Sequence, residues 1–229
     1  MKPHTETEEN YLKCILRYSK GQEPVSTNTI ARELGTSPAS VTDMVKKLSI
    51  REPASLVNYT PYRGVTLTDE GRKVALRIIR KHRLWEVFLV EVLNFSWDNI
   101  HDVAEQLEHV DSPELIRAID QFLGYPKYDP HGDPIPNEEG VIETREIYPL
   151  SAIEPGQEVV IAGVRRSDPD FLQYLDTVGL VINRTVKILD QLAFDESLQL
   201  EVEGRIFITS GNVSRNLMVM HAEEGEAGA

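Results

Sequence analysis

The sequence predicts a mainly α protein with small β parts: a winged helix-turn-helix head, a helical middle and a small all-β barrel towards the C-terminus. Three observations carry that prediction. Two short helix signals joined at a glycine precede a hairpin signal, all before residue 70. Helical periodicity then fills the middle of the chain. From Tyr148 onward it gives way to short runs rich in strand-forming residues. A chain of 229 residues suffices for two or three small domains. We place them at 1–71, 72–140 and 148–221.

In the head, Tyr11, Leu12, Ile15 and Leu16 lie at helical spacing within 7–20. Thr5 or Thr7 serves as cap, acidic residues fill the first turn and Gly21 is the stop. Ser26, Thr27, Asn28 and Thr29 offer caps to a second helix that ends at Gly35. A third follows, with Ser37 as cap, Pro38 at its first position and Val41, Met44, Val45 and Leu48 on its buried face. Strand formers at 56–60 and 65–68 flank the turn Pro61-Tyr62-Arg63-Gly64, which makes the wing. A long helix capped at 68–71 runs to about Val92.

Two more helices are expected over 97–110 and 112–123. The stretch 124–137, with four prolines, is then an extended connector. Strands are expected at 158–164, 185–189, 198–202 and 205–208, the last two closed at Glu203-Gly204, with a helix over 169–178. The tail AEEGEAGA has nothing to bury and is expected to be disordered.

Charge is unevenly distributed. Residues 1–70 hold nine Lys/Arg (2, 13, 17, 20, 32, 46, 47, 51, 63) and nine Asp/Glu (6, 8, 9, 23, 33, 43, 52, 69, 70), so the net charge of -13 lies beyond them. A neutral head on an acidic body suits a DNA-contacting domain joined to a cation-binding one. No apolar run is long enough to span a bilayer, and MKPHTETEEN lacks the apolar core of a signal peptide. The single cysteine, Cys14, excludes an internal disulfide and reads as core packing. A cytoplasmic protein with no membrane partner is the expectation.

On the recognition helix the exposed first turns are Ser37, Pro38, Ala39, Ser40, Thr42 and Asp43. Their small side chains suit thymine methyls and base edges. Thr27, Lys46, Lys47 and the wing-tip Arg63 are candidates for further DNA contacts, the basic ones to phosphates.

A second constellation is His101, Glu105, Glu108 and His109. On one helix, with His101 at zero, the others fall at about 40°, -20° and 80°, so four ligand types share an arc of about 100°. His82 and Glu86 stand one turn apart upstream. Imidazole and carboxylate together suit Mn²⁺, Fe²⁺, Co²⁺ or Zn²⁺. The alternative for each residue alone is a solvated helix face.

The run Arg80-Lys81-His82-Arg83-Leu84-Trp85-Glu86, the set His101, Asp102, Glu105, Glu108 and His109, and the stretch Pro130-His131-Gly132-Asp133-Pro134-Ile135-Pro136 together resemble the diphtheria toxin repressor and manganese transport regulator family. The resemblance covers nearly the whole chain, and Leu123-Gly124-Tyr125-Pro126-Lys127 is most similar to the manganese-responsive streptococcal members. It implies a helical dimerisation and metal domain and a C-terminal SH3-like (FeoA-like) domain. It implies a homodimer that binds palindromic double-stranded operator DNA when loaded with Mn²⁺ or Fe²⁺, represses metal-uptake genes and is no enzyme. Zn²⁺ or Co²⁺ is expected to substitute in vitro.

The resemblance also implies a primary site from Glu105, Glu108 and His109 with Asn10 of the first helix. A second site comes from His82, Glu86 and His101, completed from Asp129, His131 and either Asp168 or Asp170. Two departures stand out. Asn10 replaces a methionine or aspartate, and Lys13 replaces an acidic ligand, which argues against a close binuclear cluster. Glu105 stands where iron-type members carry cysteine, and the harder ligand favours Mn²⁺. The competing classes are a winged-helix regulator of a small organic effector, whose DNA binding would ignore chelators, and a metal hydrolase. The hydrolase lacks a nucleophile elbow, a phosphate loop or paired catalytic acids in the sequence.

Overall fold

The first helix, α1 (Glu6–Tyr18), begins where a reciprocal cap forms: Thr5 accepts from the Glu8 backbone and Glu8 accepts from that of Thr5. A computed structural model of the chain describes residues 4–19, 21 and 23–221. The C-terminal tail expected to be disordered lies outside the described residues. The chain divides into two compact units. One comprises Met1–Trp85, Glu105–Ile119 and Ile135–Ile142; the other comprises Glu86–Ala104, Asp120–Pro134 and Glu143–Ala229.

The first unit contains the head. Ser26 caps α2 (Thr27–Glu33) and Ser37 caps α3 (Pro38–Ser49), with Pro38 in the first turn. Such caps are each worth about 1 kcal/mol. Strands β1 (Val57–Thr60) and β2 (Gly64–Leu67) pair antiparallel, Val57 opposite Leu67 and Thr60 opposite Gly64. Val25, between α1 and α2, bridges to Val65 and ties the wing to the helices. Leu12, Ile15, Ile30, Val41, Val45, Leu48, Val65 and Ala75 form the core of this unit. The helix-helix-helix-hairpin-helix order is thus the expected winged head. The long helix α4 (Asp69–Glu91) closes it. Gly71 sits in its first turn because a Cβ there would meet the Leu56 carbonyl oxygen at 1.9 Å.

The helix expected over 97–110 is much shorter. The segment before it is a turn, with the Asn99 N–H donating to the Ser96 carbonyl at 3.0 Å. Trp97 is held by its indole N–H donating to Asp176 Oδ2 at 2.9 Å, within a cluster of core side chains. Only α5 (His101–Leu107) is helical, and Glu108 and His109 lie in the turn beyond it. Glu108 and His109 therefore leave the angular stripe that one continuous helix would give, while His101 and Glu105 keep it. Next comes α6 (Pro113–Phe122), followed by the non-helical connector, as expected.

The second unit holds a six-stranded sheet in the order β3-β8-β4-β5-β6-β7. Its strands are β3 (Tyr148–Pro149), β4 (Glu158–Val164), β5 (Thr185–Leu192), β6 (Ser197–Val202), β7 (Arg205–Thr209) and β8 (Leu217–His221). All neighbours run antiparallel. Helix α7 (Pro169–Val178) starts at the Asp168 cap and stops at left-handed Gly179, φ 78°. A further short helix, α8 (Gly211–Asn216), and strands β3 and β8 carry no clear period in the sequence and were not expected. Val159, Ile161, Leu172, Leu175, Val186, Leu198, Leu200, Leu217 and Val219 make the core of this SH3-like unit.

Candidate metal centre and nucleic-acid interface

In the first unit, the site forms where α1 meets the turn after α5. Glu108 is its centre, a carboxylate with no solvent exposure. The His82 Nδ1 of α4 lies 2.6 Å from Glu108 Oε2. The Lys13 ammonium of α1 donates to both Glu108 oxygens, at 2.7 and 2.9 Å, and to Glu105 Oε1 at 3.3 Å. His109 reaches back to α1 as well, with Nδ1 2.6 Å from Glu9 Oε2, while its Nε2 lies 3.8 Å from Glu108 Oε1. Burial pushes the Glu108 carboxyl up, but the His82 hydrogen bond and the Lys13 charge outweigh it and leave it below its ordinary range.

The donor types of this set suit a divalent ion, although among the described residues the ligand atoms of Glu105, Glu108 and His109 are not all gathered within 4.8 Å of one another. Glu105 and Glu108 supply hard oxygens already gathered around one cation. With Glu9 accepting from Nδ1 of His109, the Nε2 lone pair is left facing Glu108, the arrangement in which an outer carboxylate orients a ligating imidazole. The chain's one thiol, Cys14, is pushed up to about 11 by burial and by the nearby Glu33 charge, so it is an apolar packing group. Asn10 is half-buried and forms no side-chain hydrogen bond among the described residues. From α1, Glu9 and Lys13 contact the set. They are four apart, on one helical face, a spacing visible in the sequence.

In the second unit, Glu86, Asp129 and His131 are all buried, and one potential ligand atom from each lies within 4.8 Å of the others. His131 is held firmly: Nε2 lies 2.9 Å from the Trp97 carbonyl oxygen, which a ring N–H satisfies, and Nδ1 then faces Glu86 Oε1 at 3.9 Å. Asp129 Oδ1 accepts from the backbone N–H groups of His131 at 2.9 Å and Asp133 at 3.0 Å, which fixes the loop. Gly132, φ 88°, is required because a Cβ would meet the Ala162 carbonyl oxygen at 2.1 Å. Two buried carboxylates this close favour a bound cation. The half-exposed His101 places Nδ1 3.5 Å from Glu86 Oε1. Asp168 is occupied in capping α7, and Asp170 is exposed in its first turn; neither joins this group among the described residues. Sequence reasoning overlooked the Trp97 carbonyl, because a backbone acceptor leaves no mark in residue type.

The recognition helix α3 displays Ser37, Pro38, Ala39 and Ser40 to solvent. The Ser37 hydroxyl accepts from the Ser40 backbone at 3.1 Å, and the Thr42 hydroxyl donates to the Pro38 carbonyl at 2.9 Å. Thr27 is half-buried, while Lys46 and Arg63 are exposed. Lys47 is exposed too, yet its ammonium lies 3.1 Å from Glu8 Oε1, and Arg51 donates to Glu8 Oε2 at 2.6 Å. Tyr62, fully exposed beside Arg63 at the wing tip, is an addition to the expected contact residues.

Three family models match in register with these parts. Residues 4–65 match the iron dependent repressor N-terminal DNA binding domain, and 68–137 its metal binding and dimerisation domain. Residues 148–220 match the FeoA domain. The iron-dependent repressor IdeR of Mycobacterium tuberculosis is 30% identical over 197 residues, covering 80% of this chain and 84% of that protein. The chain belongs to the iron-dependent repressor family. It is a metal-dependent transcriptional repressor, and the family is one of regulators rather than enzymes. The diphtheria toxin repressor of Corynebacterium glutamicum is 29% identical over 229 residues, 95% of this chain and 94% of that one. Among solved structures, a manganese-dependent transcriptional repressor in complex with manganese superposes with a TM-score of 0.78. It is 33% identical and covers 93% of this repressor and 99% of its own chain. ScaR with bound Cd²⁺ gives 0.71 at 32% identity, covering 96% and 100%. Among the described residues, no helix of this repressor is long and apolar enough to cross a membrane.

Proposed function

We propose that the chain is a Mn²⁺- or Fe²⁺-dependent repressor that binds palindromic operator DNA as a homodimer and controls metal-uptake genes. Its modules are a winged head at 1–71, a metal and dimerisation region at 72–140 and an SH3-like domain at 148–221. The observation that carries the reading is the tie between α1 and the turn after α5, made by Lys13 to Glu105 and Glu108 and by Glu9 to His109. A cation held there joins the head's first helix to the helical region through charge.

Glu105, Glu108 and His109 would hold the primary ion, with Glu9 orienting His109. Glu86, Asp129 and His131 would hold a second, with His101 beside it. A bound dication supplies positive charge that neutralises the buried carboxylates and lowers repulsion of DNA phosphates. The side chains do the rest. Glu8 holds Lys47 and Arg51 from the end of the recognition helix while its neighbour Glu9 holds His109, so α1 links the metal ligands to α3. Fixing α1 in this way sets the recognition helices of a dimer about one DNA turn apart. Ser37, Ala39 and Ser40 then meet base edges, while Lys46 and Arg63, with Lys47 engaged by Glu8, meet phosphates. The donor set, two carboxylates and an imidazole without a thiolate, is hard enough to hold Mn²⁺ or Fe²⁺, with selection over later metals left to their availability. As a DNA-binding repressor the chain would act in the cytoplasm.

Fluorescence anisotropy on the chain's own promoter DNA tests the reading. Binding is expected in Mn²⁺ or anaerobic Fe²⁺ and lost in chelator. Equal binding in chelator would remove metal as the switch.

A further inference from the structure

The primary carboxylates come with a cation of their own. The Lys13 ammonium has three protons, and three carboxylate oxygens surround it: both of Glu108, at 2.7 and 2.9 Å, and Oε1 of Glu105, at 3.3 Å. Its side chain is one-fifth exposed, Glu108 is fully buried and Glu105 is half exposed, so bulk water screens the contact with Glu108 poorly and that with Glu105 more. A divalent ion bonded to Glu105 and Glu108 would need the same oxygen lone pairs, at shorter range. Two cations cannot share the buried Glu108 oxygens closely without strong repulsion. Lys13 sits on a flexible four-carbon stem, so its head can swing out to solvent while α1 stays in place.

We propose that Lys13 is a tethered competitor of the metal: its ammonium neutralises Glu105 and Glu108 until a dication displaces it, so Lys13 sets the metal concentration at which the repressor loads. The inference rests on the metal-dependent reading above and deepens it. Metal uptake is then an exchange of one cation for another, and the affinity measured is that of the ion less that of the ammonium. The exchange keeps Glu108 compensated throughout, which protects the fold at low metal.

The test compares full-length wild type with Lys13→Met and Lys13→Arg by titration calorimetry with Mn²⁺, after metal removal, alongside thermal unfolding in EDTA. Lys13→Met is expected to bind Mn²⁺ at least tenfold more tightly than wild type and to melt lower in EDTA, because Glu108 has lost its partner. Lys13→Arg, which keeps the charge, is expected to stay within about threefold of wild type. Affinity unchanged or weakened in Lys13→Met overturns the proposal. Should that variant not fold without metal, amine acetylation of the wild type read by mass spectrometry decides. Lys13 is expected to label at least threefold faster in Mn²⁺ than in EDTA, and equal or slower labelling overturns the displacement. His109→Ala separates the two levels of the argument. If wild type binds no Mn²⁺, or binds it as His109→Ala does, the metal reading and the Lys13 role fall together. If binding depends on His109 but not on Lys13, only the Lys13 role falls.

Discussion

The two carboxylate–histidine groups use one chemistry under different constraints. In the first unit, Glu108 is compensated from within by Lys13 and His82, and the group is tied to α1. In the second, Glu86 and Asp129 converge on His131 within 4.8 Å, held by a tight loop and a backbone carbonyl. Both pin one imidazole nitrogen and leave the other facing a carboxylate. They differ in what the pinning element can do. A carbonyl in a packed turn is static, whereas Glu9 belongs to the helix that also grips the recognition helix through Glu8. On the proposed reading, the first group would therefore switch and the second would stabilise.

Removing the centre of the first group is the strongest way to break this contrast. Glu108→Gln strands Lys13 and His82. It is expected to abolish Mn²⁺-dependent DNA binding, at least 100-fold by anisotropy, and to cost about 3 kcal/mol in urea unfolding. Intact Mn²⁺-dependent binding would break the assignment of the switch. Asp129→Ala should instead reduce Mn²⁺ stoichiometry from two per chain to one while metal-dependent DNA binding persists. If DNA binding vanishes instead, the second group is more than a stabiliser. Glu9→Gln, which loosens the orientation of His109, should weaken Mn²⁺ binding about tenfold or more, as outer partners of ligating imidazoles do. Gly132→Ala forces the loop away from the Ala162 carbonyl and should destabilise the second unit by more than about 1 kcal/mol, seen by hydrogen exchange.

The smallest effect concerns Cys14. Burial raises its thiol from 9.0 to about 11. The folded value exceeds the unfolded one, so this contribution to stability is complete below pH 9 and fades as pH rises towards 11. Alkylation at pH 8 should accordingly be much slower in the folded protein than in urea, with or without Mn²⁺. Rapid alkylation would place the thiol nearer the first group's chemistry than its packing suggests.

The head was legible because its signals are local. Thr5, Ser26 and Ser37 cap where side-chain type says they should, and Pro38 starts α3 by its fixed geometry. Trp97 shows the limit: helical periodicity runs through it, but its indole bond to Asp176 and its place in a core 79 residues along the chain override local propensity and shorten α5.

The sequence by itself determined the winged head, the candidate ligand types and the family to which they belong, since capping, periodicity and motif spacing act over a few residues. Only the tertiary structure decided which ligands meet. It put His101 and Glu108 in different units, brought His82 to Glu108, and turned Glu9 and Lys13 towards residues 92 to 100 positions away. Such contacts depend on how far helices end and how they rotate against one another. A shift of one residue rotates a helix face by about 100°, so no local rule fixes them.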